Sequence, residues 1–225
     1  MNFISKPRIT QLSFSRIKGW EKCPRQAKHK HIDKLPDGGN YATSRGAHLH
    51  TLAEDYLNDP DKPCPPALQK IGSALLGLTQ ECDSFETEMR AAFDKYWKVV
   101  DFFDPTVFMR AVYDYFGVRD NYGLIVDHKS GKEYPEHQDQ QELYALTGFH
   151  YNPDLEVIDT RMLYIDHGFQ QGMNFTREAD LERLTEIWAK RWDRVLADDV
   201  FAESPGSHCR WCSYSKSKGG PCQNG

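Results

Sequence analysis

LIVDHKSGK, Leu124–Lys132, is an apolar run that carries Asp127 and Lys129 on alternate positions and breaks at Gly131. In a strand, alternate side chains leave the same face, so Asp127 and Lys129 emerge together, roughly 7 Å apart along the chain. A carboxylate and an ammonium side by side at the end of an otherwise buried strand suit metal-assisted attack on a phosphodiester. The carboxylate holds a divalent cation, and the lysine orients a water or offsets developing negative charge. Acidic and basic residues alternate in many exposed strands, so the neighbours of this stretch decide its reading.

Upstream, Thr106–Phe116 and Val118–Lys129 are rich in β-branched and aromatic residues, with the turn RDNYG between them. An antiparallel hairpin centred on Asp120 and Asn121 puts Asp114 opposite Asp127 on the same side of the sheet. Like charges so placed destabilise a hairpin unless a cation sits between them. The other reading has Asp114 facing solvent in a different register. Residues 43–58 read as an amphipathic helix in which His50 and Glu54, four apart, share a face, while His48 projects elsewhere. Gly46 lets another backbone pass close.

Outward from this centre, SFSRIKGWEK reads as a short helix capped by Ser13 or Ser15, and Pro24 ends it and opens a second one. PDGGN is a loop. Helices are expected over 67–80, 83–100, 136–150 and 176–197, and a strand with a polar edge over Leu155–Asp166. The layout is α/β around a small mixed sheet, with residues 59–105 as a helical insertion. No GxxxxGK[ST] loop is present.

With 225 residues the chain supports one sizeable core. It has no apolar stretch of membrane-spanning length and no signal-like start, which points to a cytoplasmic protein without membrane contact. The net charge of −5 hides an asymmetry. Residues 1–34 carry nine Lys or Arg against Glu21 and Asp33, a balance of +7, and residues 209–225 carry +3. Basic ends around an acidic body suggest an anion-binding surface built from both termini, 1–34 and 205–225.

Six cysteines in such a chain favour metal binding over disulfides. Cys209 and Cys212 form a C-x-x-C pair, with Cys222 beyond and Cys23 near the other end, just before Pro24. Four thiolates suit Zn²⁺, the more frequent default, or a [4Fe–4S] cluster. His208 is a conceivable substitute ligand, and Cys64 and Cys82 lack partners at ligand spacing. Trp20, Trp211 and Tyr214 could stack on bases beside these charges, although burial is the commoner fate of such rings.

In order along the chain, SFSRIKGWEKCPRQ, RGAHLH, VYDYF, IVDHKSGK, the Gln140–Tyr144 helix and the cysteine tail resemble the PD-(D/E)XK nuclease superfamily. The similarity is to its RecB-like branch, with the CRISPR-associated adaptation exonucleases and phage-encoded homologues. The resemblance implies a single restriction-endonuclease-like domain over 1–225 with metal- or cluster-clamped termini. It implies that Asp114, Asp127, His50 and the His128 carbonyl hold Mg²⁺ or Mn²⁺, that Lys129 is catalytic, and that Gln140 and Tyr144 line the site and contact nucleic acid. Tyr113 stands where the signature has proline. Cys23, Cys209, Cys212 and Cys222 would hold a [4Fe–4S] cluster, and Arg16, Lys22, Arg25 and Arg45 would grip the phosphate backbone. The implied activity is a metal-dependent DNA exonuclease acting on single strands or ends, in recombination, repair or phage DNA processing. The alternative is a nucleic-acid-binding, adaptation-type subunit of a larger complex, and a recombination or adaptation protein or a second copy would be the protein partner.

Overall fold

The computed structural model describes residues 8–38, 41–59 and 61–224, the side chains of 41 and 42 excepted. Within them the chain falls into two compact units, 1–39 with 187–225, and 40–186. The first is wider than the terminal subdomain of 1–34 and 205–225 read from the sequence. The elements run α1 (Phe14–Lys22), α2 (Pro24–His31), α3 (Tyr41–Asn58), α4 (Gly72–Glu81), β1 (Ser84–Phe93), β2 (Met109–Arg119), β3 (Tyr122–Lys129), α5 (Glu136–Tyr151), β4 (Val157–Tyr164), β5 (Phe169–Thr176) and α6 (Arg177–Ala197).

The larger unit is built on a five-stranded mixed sheet in the order β1-β2-β3-β4-β5. β3 and β4 pair in parallel, joined through α5, and every other neighbouring pair is antiparallel. The architecture is α/β and restriction-endonuclease-like. The β2–β3 hairpin turns on Asp120 and Asn121, with Asp120 at φ 51°. Its ladder pairs Arg119 with Tyr122 and continues to Tyr115 with Val126, the register expected from the sequence. Alternation along β3 explains its apolar run. Leu124 and Val126 enter a core with Leu49, Ala53 and Leu75 from α3 and α4, whereas Ile125 faces Gly148 on α5. Both faces are covered, so the strand reads as continuously hydrophobic.

Two expectations are overturned. Residues 83–100 were expected to be helical, yet Ser84–Phe93 form β1, and among its described residues the supposed helical insertion at 59–105 holds only α4 and a short 3₁₀ turn at Pro66–Leu68 as helix. SFETEMRAAF contains good helix formers, but Phe85, Thr87, Met89, Ala91 and Phe93 also recur at the strand period. Pairing with β2 over nine residue pairs outweighs a propensity worth only tenths of a kcal/mol per residue. β5, FQQGMNFT, was not anticipated because its mostly exposed, polar edge position lacks an apolar signal. The PDGGN loop is seen over 36–38; Gly39 and Asn40 lie outside the described residues.

The terminal unit contains α1 and α2. Ser13 caps α1 by accepting from the Arg16 N–H, and Cys23 ends α1 in extended backbone while preceding Pro24 at the start of α2. Trp20 donates its indole N–H to Asp198 at 2.7 Å, and Arg191 makes a two-pronged contact with Glu21 at 2.8 Å. No helix among the described residues is long and apolar enough to cross a membrane.

Leu124 is fully buried in the α3/α4 core. Leu124→Ala is expected to lower unfolding free energy by about 2–5 kcal/mol, measured by urea denaturation. A loss under about 1 kcal/mol would show that this face collapses readily around a void.

Candidate active site

The site begins at an interruption in the sheet. Pairs Thr87–Tyr115 and Met89–Tyr113 flank Glu88 and Asp114, which face each other without forming a ladder pair. The β2–β3 ladder likewise stops at Tyr115–Val126, one residue short of Asp114 and Asp127. Side-chain alternation is lost there: the Tyr113 hydroxyl donates to Thr147 on α5, whereas that of Tyr115 donates to the Leu78 carbonyl on α4. Glu88 takes φ 49°, in the left-handed region that a branched or bulky side chain avoids.

This break frees Asp114 from the ordinary pleat. It is 8 % exposed, yet its carboxylate is well supplied with donors. Oδ1 lies 3.1 Å from His50 Nδ1, and Oδ2 accepts the His128 backbone N–H. Burial alone would raise its pKa, but His50, the His128 ring and that N–H together hold it below the usual carboxylate range. His50 is affected in the opposite sense: burial lowers it, and the Asp114 bond outweighs burial to leave it raised. Glu88 is raised by burial and then by the like charges of Asp114 and Glu54.

Among the described residues, His50, Glu88 and Asp114 are the group of three His, Cys, Asp or Glu whose ligand atoms all lie within 4.8 Å of one another. Two carboxylates and an imidazole fit Mn²⁺, or Mg²⁺ with waters completing the shell. Glu88 was missed from sequence because its segment read as helix, so nothing brought it opposite Asp114.

Asp127 stands beside this group but does not join it. It is 5 % exposed. Its Oδ1 accepts from Gln140 Nε2 at 2.9 Å and lies 2.8 Å from the Tyr144 hydroxyl, while Oδ2 lies 2.6 Å from Lys129 Nζ. The Tyr144 hydroxyl is also 2.9 Å from the Val112 carbonyl, so its one proton serves one of these acceptors at a time. Lys129 Nζ donates to Gln140 Oε1 at 2.8 Å. Gln140 and Tyr144, one helical turn apart on α5, thus hold the acid and the lysine together. The expected facing of Asp114 and Asp127 on one side is corrected: the register persists, but Asp114 is drawn to His50 on α3 and Asp127 to α5. The His128 ring is fully buried and makes no hydrogen bond, and burial lowers its pKa.

The remaining expected residues are dispersed. Arg45 donates to both oxygens of Asp166 and to the Ser130 carbonyl, so its guanidinium ties α3 to the segments following β3 and β4. His48 is exposed. In the terminal unit, Arg16 donates to the Gln11 carbonyl, Lys22 is exposed, and Arg25 is half-buried. Lys28 pairs with Asp33 and Lys30 with Asp37, each at 2.6 Å, so part of the basic charge is neutralised locally. Trp20 and Tyr214 are buried, which removes them as base-stacking rings, whereas Trp211 is exposed. Cys23, Cys209, Cys212 and Cys222 border one recess with His208, whose Nε2 is buried without a hydrogen-bond partner. The Cys222 thiol is pushed up by burial, then by Cys212, Glu203 and Cys23. Cys82 packs in the α3/α4 core and Cys64 against Gly72, away from the recess.

Glu88 supplies a test of this geometry. In EDTA, Glu88→Gly should exceed Glu88→Ala in stability by about 1 kcal/mol, because both lose the carboxylate but only glycine relaxes at a positive φ. Chemical denaturation measures the difference; alanine equal to or better than glycine would refute the left-handed backbone at this position.

A family profile described as the PD-(D/E)XK nuclease superfamily matches residues 11–217. No curated protein matches. Among solved structures, a candidate exonuclease from Eubacterium rectale aligns at TM-score 0.50 and 10 % identity, covering 83 % of this chain and 80 % of its own. A crystal structure named SSO0001 aligns at TM-score 0.47 and 13 % identity, covering 98 % of this chain and 89 % of its own. The structural likeness speaks to the fold, whereas the profile spans the sheet, α3, α5 and most of both termini. The chain belongs to the PD-(D/E)XK nuclease superfamily.

Proposed function

We propose that the protein is a divalent-metal-dependent deoxyribonuclease, an exonuclease working on single-stranded DNA or DNA ends in recombination, repair or phage DNA processing. The observation that carries this reading is the Asp127–Lys129 pair, clamped by Gln140 and Tyr144, beside the His50–Glu88–Asp114 group. Mg²⁺ or Mn²⁺ held by His50, Glu88 and Asp114, with the Asp127 carboxylate and the His128 carbonyl adjacent, would supply Lewis-acid charge and a water of lowered pKa. Lys129 orients the attacking water and offsets the charge that builds on the phosphate as the P–O bond breaks. Gln140 keeps Lys129 and Asp127 in register, and Tyr144 stays a neutral donor because burial and then Asp127 push its pKa well up.

The recess in the terminal unit supports a [4Fe–4S] cluster on Cys23, Cys209, Cys212 and Cys222, with structural Zn²⁺ as the alternative. All four thiols are free and converge on one space. Such a centre would join the basic first helices to the basic tail and so shape a phosphate-binding surface that includes Arg16, Lys22 and Arg25.

Anaerobically purified protein is expected to shorten end-labelled DNA only with Mn²⁺ or Mg²⁺. Asp127→Ala and Lys129→Ala should each lower the rate at least about a hundredfold, with DNA binding still measurable. Wild-type rates in either variant would sink the assignment. The same sample should be brown, with broad visible absorption, and Cys222→Ser should lose both colour and solubility. A soluble, colourless and fully active Cys222→Ser protein would exclude the cluster.

A further inference from the structure

The connector between β1 and β2 is the least explained surface of the larger unit. Tyr96 and Phe103 are 76 % and 75 % exposed, far beyond what packing requires of such rings. Neither sits on a loose loop. Asp94 Oδ1 accepts the N–H of Tyr96, and Asp101 Oδ1 accepts the N–H of Phe103, so each ring stands two residues after an aspartate that pins its turn. The first turn is closed further by the Asp94 N–H to the Lys98 carbonyl and by the Phe93–Val99 bridge. Trp97 anchors it, stacked on His150 with ring centroids 4.1 Å apart and 5° between planes.

Cations accompany these rings. Lys95 Nζ lies 4.9 Å from the Tyr96 centroid. Arg90 and Arg110 both lie over Phe102, whose ring meets Phe103 edge-on at 5.3 Å. Lys98 is exposed as well. The connector's acids close its turns: Asp94, Asp101 and Asp104 all accept backbone N–H groups of the connector, with Asp101 itself exposed. Exposed rings with Lys95 and Lys98 beside them offer stacking faces for bases and cations for phosphates. Five residue steps along β2, about 17 Å of strand at most, take the chain from Met109 to Asp114.

We propose that this connector is a stacking platform for single-stranded nucleic acid, with bases resting on Tyr96 and Phe103 and phosphates beside Lys95 and Lys98. This rests on the nuclease reading for its substrate class, but it is tested through binding. In EDTA, a fluorescent oligothymidine should bind a Tyr96→Ala/Phe103→Ala double variant at least about tenfold more weakly than the unsubstituted chain. An abasic strand of equal length should bind both proteins alike, and blunt duplex should show less than a threefold change. Circular dichroism confirms that the variant folds; Tyr96→Phe/Phe103→Tyr, which keeps both rings, should restore binding. Equal oligothymidine affinity in the double variant overturns the platform, even if the unsubstituted chain cleaves DNA. So does a double variant altered only in oligomeric state, since these rings would then serve a protein interface. Absence of cleavage with the binding contrast intact would instead count against the nuclease reading.

Discussion

A buried carboxylate must be surrounded by donors or become neutral, and Asp114 imposes that condition on this site. It lies in the middle of a central strand, where a regular ladder would leave its side chain among apolar neighbours. The structure answers with three coupled departures from regularity. The ladder opens at Glu88 and Asp114, the His128 N–H turns to the carboxylate, and α3 brings His50 to its other oxygen. Glu88 bears the cost in a left-handed backbone and a carboxyl raised by burial and by Asp114. Strain and like-charge crowding of this kind persist only where the surrounding fold over-determines them, and they concentrate at functional sites.

Asp127 meets the same demand by a different route. Its counter-charge is Lys129, two residues on, and its remaining oxygen is satisfied from α5. The D-x-K spacing is therefore more than a signature. Alternation puts the ammonium on the carboxylate's own face, and the adjoining helix supplies an amide that reaches both. One acid is held from α3 and the other from α5, so the two carboxylates sit in separate hydrogen-bond environments.

Much of this was legible in the chain, and what was not has a physical pattern. β3 announces itself by an apolar run bearing Asp127 and Lys129, and the two-residue turn at Asp120–Asn121 sets the register that brings Asp114 level with Asp127. Helical spacing placed His50 on one face with Glu54, and only the resemblance over RGAHLH singled it out as a ligand. Glu88 and β1 did not follow, because SFETEMRAAF has the local preferences of a helix and becomes a strand only through pairing with β2. The polar edge strand β5 escaped for the related reason that its partner, β4, supplies what its composition does not. Local signals thus located Asp114 on β2 and Asp127 on β3, whereas Glu88 of the His50–Glu88–Asp114 group depended on a non-local ladder.

The central claim is that this group binds a divalent cation. Calorimetric titration of Mn²⁺ into metal-free protein tests it without reference to substrate. Saturable binding at one site per chain is expected, lost in Asp114→Asn and in Glu88→Gln while circular dichroism stays unchanged. Undiminished Mn²⁺ binding in both folded variants would contradict the account.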